Sequence, residues 1–153
     1  MKKLTNIIIT AILITILFVY SGCKNNEVNN NVFLKYLKET FNENDVKNEK
    51  MFILLPCSGC SGCEQSIYYI FTSHLLNNKK ITLIICDPIH KGLLYATLKA
   101  ENVKYDFLSK MAEYDFGSGY PVCIAVKNNK VTDRYTISPG SLEIVKGYLK
   151  KLD

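Results

Sequence analysis

Three cysteines fall within seven residues, Cys57-Ser-Gly-Cys60-Ser-Gly-Cys63, between an apolar run and a stretch patterned as a helix. The run before them, Met51-Phe-Ile-Leu-Leu55, is closed by Pro56 and has the length and continuity of a buried strand. After them Ile67, Ile70, Phe71 and Leu75 recur at helical spacing, and Asn77-Asn78 ends the helix. A short strand-to-helix junction of this kind places sulfur at a helix N-terminus. Thiols there exchange disulfides or grip a soft metal. Two C-x-x-C motifs overlap, so the spacing by itself leaves the working pair open.

The first 22 residues are expected to stand outside the fold. Lys2 and Lys3 form a short basic start, Ile7 to Tyr20 is an almost unbroken apolar run, and Ser21-Gly22 puts small residues before Cys23. That order is a secretory signal peptide. The run falls short of the roughly 20 apolar residues that a spanning helix needs. Small residues followed by cysteine resemble a bacterial lipobox, where cleavage leaves an acylated cysteine, here Cys23, at the new N-terminus. Tyr20 stands where such boxes usually carry an aliphatic side chain. Residues 24–31 are Asn-rich and nearly free of apolar side chains, as in a flexible tether. The expected organisation is a signal at 1–22, a lipidated Cys23 with its tether at 23–31, and one folded domain at 32–153.

Loss of Lys2 and Lys3 would take the formal net charge from +5 to +3. The remaining lysines are interspersed with Asp and Glu, which argues against a nucleic-acid partner. Export also changes what the cysteines mean, because disulfides persist outside the cytosol. Without Cys23, five thiols remain: Cys57, Cys60, Cys63, Cys86 and Cys123. Their odd number leaves at least one outside any intramolecular disulfide. Cys86 ends an apolar strand and Cys123 begins another, which reads as two packed, unreactive thiols.

The other elements follow from periodicity and turn chemistry. Asn31 is placed to cap a short helix from Val32 to Phe41, with Phe33, Leu34, Leu37 and Phe41 on one face. Ile81–Ile85 reads as a second buried strand, stopped by Asp87-Pro88, and Gly92–Ala100 as a helix. Asn102–Phe107 suits an edge strand or an extended loop, and Gly117-Ser-Gly119 marks a turn. Asn128-Asn129 between Val122–Val126 and Val131–Ile137 signals a tight hairpin. Ser138-Pro139 then opens a last helix. The pattern predicts an α/β fold with one central mixed sheet flanked by helices and a short extra N-terminal helix.

From Val32 to Asp153 the chain resembles the thioredoxin-like superfamily, and more narrowly its small membrane-tethered bacterial members. The resemblance rests on the strand-C-x-x-C-helix unit, the Tyr120-Pro121 step entering a strand, and the hairpin followed by a terminal helix. It implies a cis proline at Pro121, set against the active disulfide. It also implies that the strands carrying Cys86 and Cys123 flank the first strand on opposite sides, which argues against their pairing.

In such a domain the attacking thiolate sits at the first turn of a helix, where unpaired N–H groups favour the anion. The helix pattern begins near Glu64, so Cys60 is the expected nucleophile and Cys63 the resolving thiol. Cys57 becomes a third thiol, competing for Cys60 or inert. Tyr120, directly before Pro121, is expected at the edge that holds a partner chain. Ser61-Gly62 offers no His or Lys to stabilise a thiolate, and the charge on Glu64 opposes it. Met51–Leu55 carries no acid, whereas many thioredoxins bury a carboxylate there. These features imply a reductase or isomerase-like role at a middling potential, without a dissociable cofactor. The expected partners are thiol- or disulfide-bearing proteins of the cell envelope, reached from a lipid anchor facing the periplasm or the exterior.

Two other classes share these residues. The three thiols of the loop could bind Cu(I) or Zn(II), with Cys123 or His90 as a distant fourth ligand. The domain could also be a non-catalytic thioredoxin-like interaction module. His74, on the helix after the motif, reads as a surface or packing residue.

Overall fold

The apolar run at Met51–Leu55 forms the centre of a five-stranded sheet in this computed structural model, which describes residues 26–89, 98–116 and 119–149. Five consecutive buried apolar residues require a strand covered on both faces, and all five are buried. This strand, β1 (Lys50–Leu55), pairs in parallel with β2 (Ile81–Cys86) and antiparallel with β4 (Val122–Lys127). Outside them lie β3 (Val103–Asp106), parallel to β2, and β5 (Lys130–Thr136), antiparallel to β4. The order is β3-β2-β1-β4-β5, a mixed sheet with β2 and β4 on opposite sides of β1 as expected. The chain divides into two compact units, Met1–Val32 and Phe33–Asp153, and the sheet belongs to the second.

Alternation along β1 separates two packed layers. Phe52 meets Phe33 of helix α1 (Asn26–Phe41), ring centroids 5.2 Å apart, and Phe116 closes on Phe33 and Tyr36. On the other face Met51, Ile53 and Leu55 cluster with Ile67, which lies on α2 (Ser61–Ile70), and with Val145 of α3 (Leu142–Leu149). α2 runs on into a π-helical turn, Phe71–Leu75, where the Thr72 hydroxyl donates to the Tyr68 carbonyl at 2.9 Å. Phe71 and Leu75 stay buried through it, while His74 is exposed.

Several boundaries differ from expectation. α1 starts at Asn26, so 26–31 is helical and Asn31 lies inside the helix rather than at its cap. Once Phe33, Tyr36 and Leu37 pin the helix to the sheet, each further residue adds a hydrogen bond without a new nucleation cost. The ambiguous Asn102–Phe107 stretch holds the short edge strand β3. A 3-10 turn at Lys110–Glu113 had no sequence signal. Its cause is Asp106, buried at 1% exposure, which accepts from the N–H groups of Lys110 (3.0 Å) and Met111 (2.7 Å) and from the Tyr36 hydroxyl (3.1 Å). Ser138-Pro139 leads first into a 3-10 turn, Pro139–Ser141, and only then into α3. The hairpin is as expected, with Asn128 and Asn129 at φ 51° and 55°. His90, Gly117 and most of the Gly92–Ala100 helix lie outside the described residues.

Candidate redox site

The site is built at the C-terminal end of β1. Cys60 is the N-cap of α2, with extended backbone at φ −72° and ψ 94°. Its Sγ accepts the N–H of Cys63 at 3.4 Å, in the place a serine or aspartate oxygen usually takes at a cap. Cys63 lies within the first turn and is buried, while Cys60 is only partly covered. The two sulfurs are 2.7 Å apart, close enough to share a proton. The structure thus brings together the pair expected from helix onset, one thiol at the lip and one a turn deeper.

The two thiols differ in acidity. The proton offered by the Cys63 side chain, helped by the N–H groups of Cys63 and Gly62, holds the Cys60 thiol below its ordinary pKa, against partial burial and the charge of Glu64. Burial, then the shared proton and the Cys60 and Glu64 charges, push the Cys63 thiol up to about 11. Cys123, inward-facing on β4 and opposite Ile53, is pushed up to about 12 by burial alone. It is the packed thiol the sequence suggested.

Cys86 is not. It forms a disulfide with Cys57, their Cα atoms 4.7 Å apart. Register explains the pairing: β1 and β2 run parallel with Leu55 beside Ile85, so Cys86 and the chain leaving β1 emerge together at one end of the sheet. The Cα separation matches the ordinary spacing of neighbouring strands. Cys57 is therefore not a free third thiol, and Cys86 is buried as half of a bridge. In sequence, two apolar runs each end within two residues of a cysteine, but only the parallel register of β1 and β2 brings those cysteines together.

Pro121 departs from expectation. The described residues contain no cis peptide bond, so Tyr120–Pro121 is trans, the isomer favoured by roughly 0.5–1 kcal/mol for an X–Pro bond. Contact with the cysteine loop is made one step earlier. The Gly119 carbonyl accepts the Cys60 N–H at 2.9 Å. The approach is so close that a Cβ on Gly59 would fall 1.6 Å from that oxygen. Pro121 is buried, and its carbonyl accepts from the Ile137 N–H at 2.7 Å. Tyr120 lines an open cleft of about 420 Å³ with Cys57, Ser58, Met111, Tyr114 and Phe116. It sits beside the disulfide half of the loop.

Among the described residues no three His, Cys, Asp or Glu side chains are gathered as a metal-binding group, and no helix is long and apolar enough to cross a membrane. With Cys57 bridged to Cys86, the loop does not present three thiolates together.

No protein-family profile matches the chain, and no curated protein matches it. Among solved structures, it is similar to the solution structure of a "Putative Thioredoxin from Neisseria meningitidis", at 15% identity and a TM-score of 0.40, over 67% of this chain and 73% of that one.

Proposed function

We propose that the chain is an extracytoplasmic thiol–disulfide oxidoreductase, lipid-anchored through Cys23, that exchanges disulfides with proteins of the cell envelope. The observation that carries the reading is the Cys60–Cys63 pair, with sulfurs 2.7 Å apart, one thiol favoured as an anion and the other held protonated. The Cys60 thiolate attacks a partner disulfide, forms a mixed disulfide and releases one partner thiolate. Cys63 then gives up its proton, attacks the Cys60 sulfur and expels the second partner thiolate, leaving a Cys60–Cys63 disulfide. The reverse sequence oxidises a partner dithiol. Residues 1–23 support the anchor, through their basic start, apolar run and small residues before Cys23.

The carbonyls of Gly119 and Pro121 already accept internal hydrogen bonds, so a partner strand is held at the Tyr120 peptide between them. The test is trapping. In cells, Cys63→Ser should accumulate mixed disulfides through Cys60, resolved by reductant and absent from a Cys60→Ser, Cys63→Ser double variant. If Cys60 reacts with a protein disulfide at neutral pH no faster than free cysteine does, the reading is wrong.

A further inference from the structure

We propose that Cys57–Cys86 is a second exchange-active disulfide, which passes its oxidation state to Cys60–Cys63 through Cys57, making the four cysteines an internal relay. This rests on Cys60 being the attacking thiol. Three observations carry it. Cys57-Ser-Gly-Cys60 repeats Cys60-Ser-Gly-Cys63 residue for residue, so a Cys57–Cys60 disulfide closes the same ring that the Cys60–Cys63 pair closes. The bridge is also asymmetric. Cys57 lines the open cleft and is partly covered, whereas Cys86 is fully buried at the end of β2. Attack is therefore directed at the Cys57 sulfur, with Cys86 as the leaving thiol. Finally, only the exposed Ser58-Gly59 pair separates Cys57 from Cys60, so the attacking and target sulfurs stand in one short loop.

The steps balance within the chain. The Cys60 thiolate bonds to Cys57 Sγ, the Cys57–Cys86 bond breaks, and its electron pair leaves on Cys86 Sγ, which takes up a proton. Cys63 loses its proton and attacks Cys60 Sγ, forming Cys60–Cys63 and expelling Cys57 as a thiolate. One disulfide is consumed and one is made, with no outside oxidant. A chain oxidised at both pairs carries two disulfides, and the inner one is emptied or refilled through the outer.

Trypsin separates the possibilities, because Cys57, Cys60 and Cys63 share the peptide Met51–Lys79 while Cys86 lies in Ile81–Lys91. The full chain and its Cys60→Ser variant, each with Cys57–Cys86 formed, are exposed to dithiothreitol well below the millimolar effective concentration of a thiol in the same chain. Samples are acid-quenched, alkylated and mapped by mass spectrometry. The relay predicts that the link between the two peptides is lost about tenfold faster or more when Cys60 is present. In a Cys63→Ser chain the link should still be lost fast, with a disulfide now inside Met51–Lys79 and Cys86 alkylated. Equal rates with and without Cys60, while Cys60–Cys63 itself is reduced and reformed, overturn the relay and leave the exchange reading standing. If Cys60–Cys63 neither forms nor exchanges, the exchange reading falls and takes the relay with it.

Discussion

The Cys60 and Cys63 sulfurs lie 2.7 Å apart, and their surroundings decide which thiol gives up its proton first. Cys60 receives hydrogen bonds and stands at the edge of solvent, whereas Cys63 is enclosed and has the Cys60 and Glu64 charges for neighbours. The signs follow. Alkylation of Cys60 should rise with pH through a midpoint below that of an ordinary thiol, and Cys63 should react only as pH approaches 11. Cys63→Ala removes the largest bond to the Cys60 sulfur but keeps the backbone N–H groups. It should move the Cys60 midpoint up toward the ordinary thiol value, read as the pH dependence of iodoacetamide incorporation into Met51–Lys79. An unmoved midpoint would show that the side-chain bond plays no part.

At the scale of elements, the site depends on two loops that meet backbone to backbone. Gly59→Ala drives a methyl group into the Gly119 carbonyl, so the loops must separate and the Cys60 N–H must lose its acceptor. The expected cost is roughly 1–3 kcal/mol in chemical denaturation, with slower attack by Cys60 on a model disulfide. Gly62→Ala meets nothing within 4 Å and serves as the control.

This contact also marks where sequence reading stopped. The strand at Met51, the helix after Cys63 and the Asn128-Asn129 hairpin were legible because each is written in a local period or turn. So was Cys60 at the helix lip. The Cys57–Cys86 bridge was not, since it depends on the register of two strands that are distant in sequence. The Gly59–Gly119 approach, and Asp106 gathering Tyr36, Lys110 and Met111, likewise join segments that no local pattern connects. At Pro121 the cis isomer that the resemblance implied is not found, and the contact with the cysteine loop is made by Gly119.

For the molecule as a whole, buried acids that stay neutral couple stability to pH. The thiols of Cys63 and Cys123 are raised from 9.0 to about 11 and about 12, so the fold holds their protons more tightly than the unfolded chain does. Their contribution is complete below pH 9 and is lost as pH rises toward those values. Burial raises Tyr36 in the same direction. Each proton released on unfolding lowers stability by about 1.4 kcal/mol per pH unit in that window. Urea unfolding between pH 9 and 11 should therefore show a falling midpoint, measured in a Cys57→Ser, Cys60→Ser, Cys86→Ser background so that the thiols exposed by unfolding have no disulfide in the chain to attack. Adding Cys123→Val should make the fall shallower by one proton's worth; an identical slope would sink the assignment.

The hydrogen bond from Cys60 N–H to the Gly119 carbonyl has a mechanical meaning as well. The peptide that carries the Cys60 sulfur hangs from the segment that leads into Tyr120 and Pro121. A chain that grips this segment and draws it outward pulls the Cys60 peptide with it, and one that settles flat leaves it in place. Under the proposed exchange, grip and trigger would share a single tendon, and the posture of the partner would be felt at the sulfur before any bond between them is made.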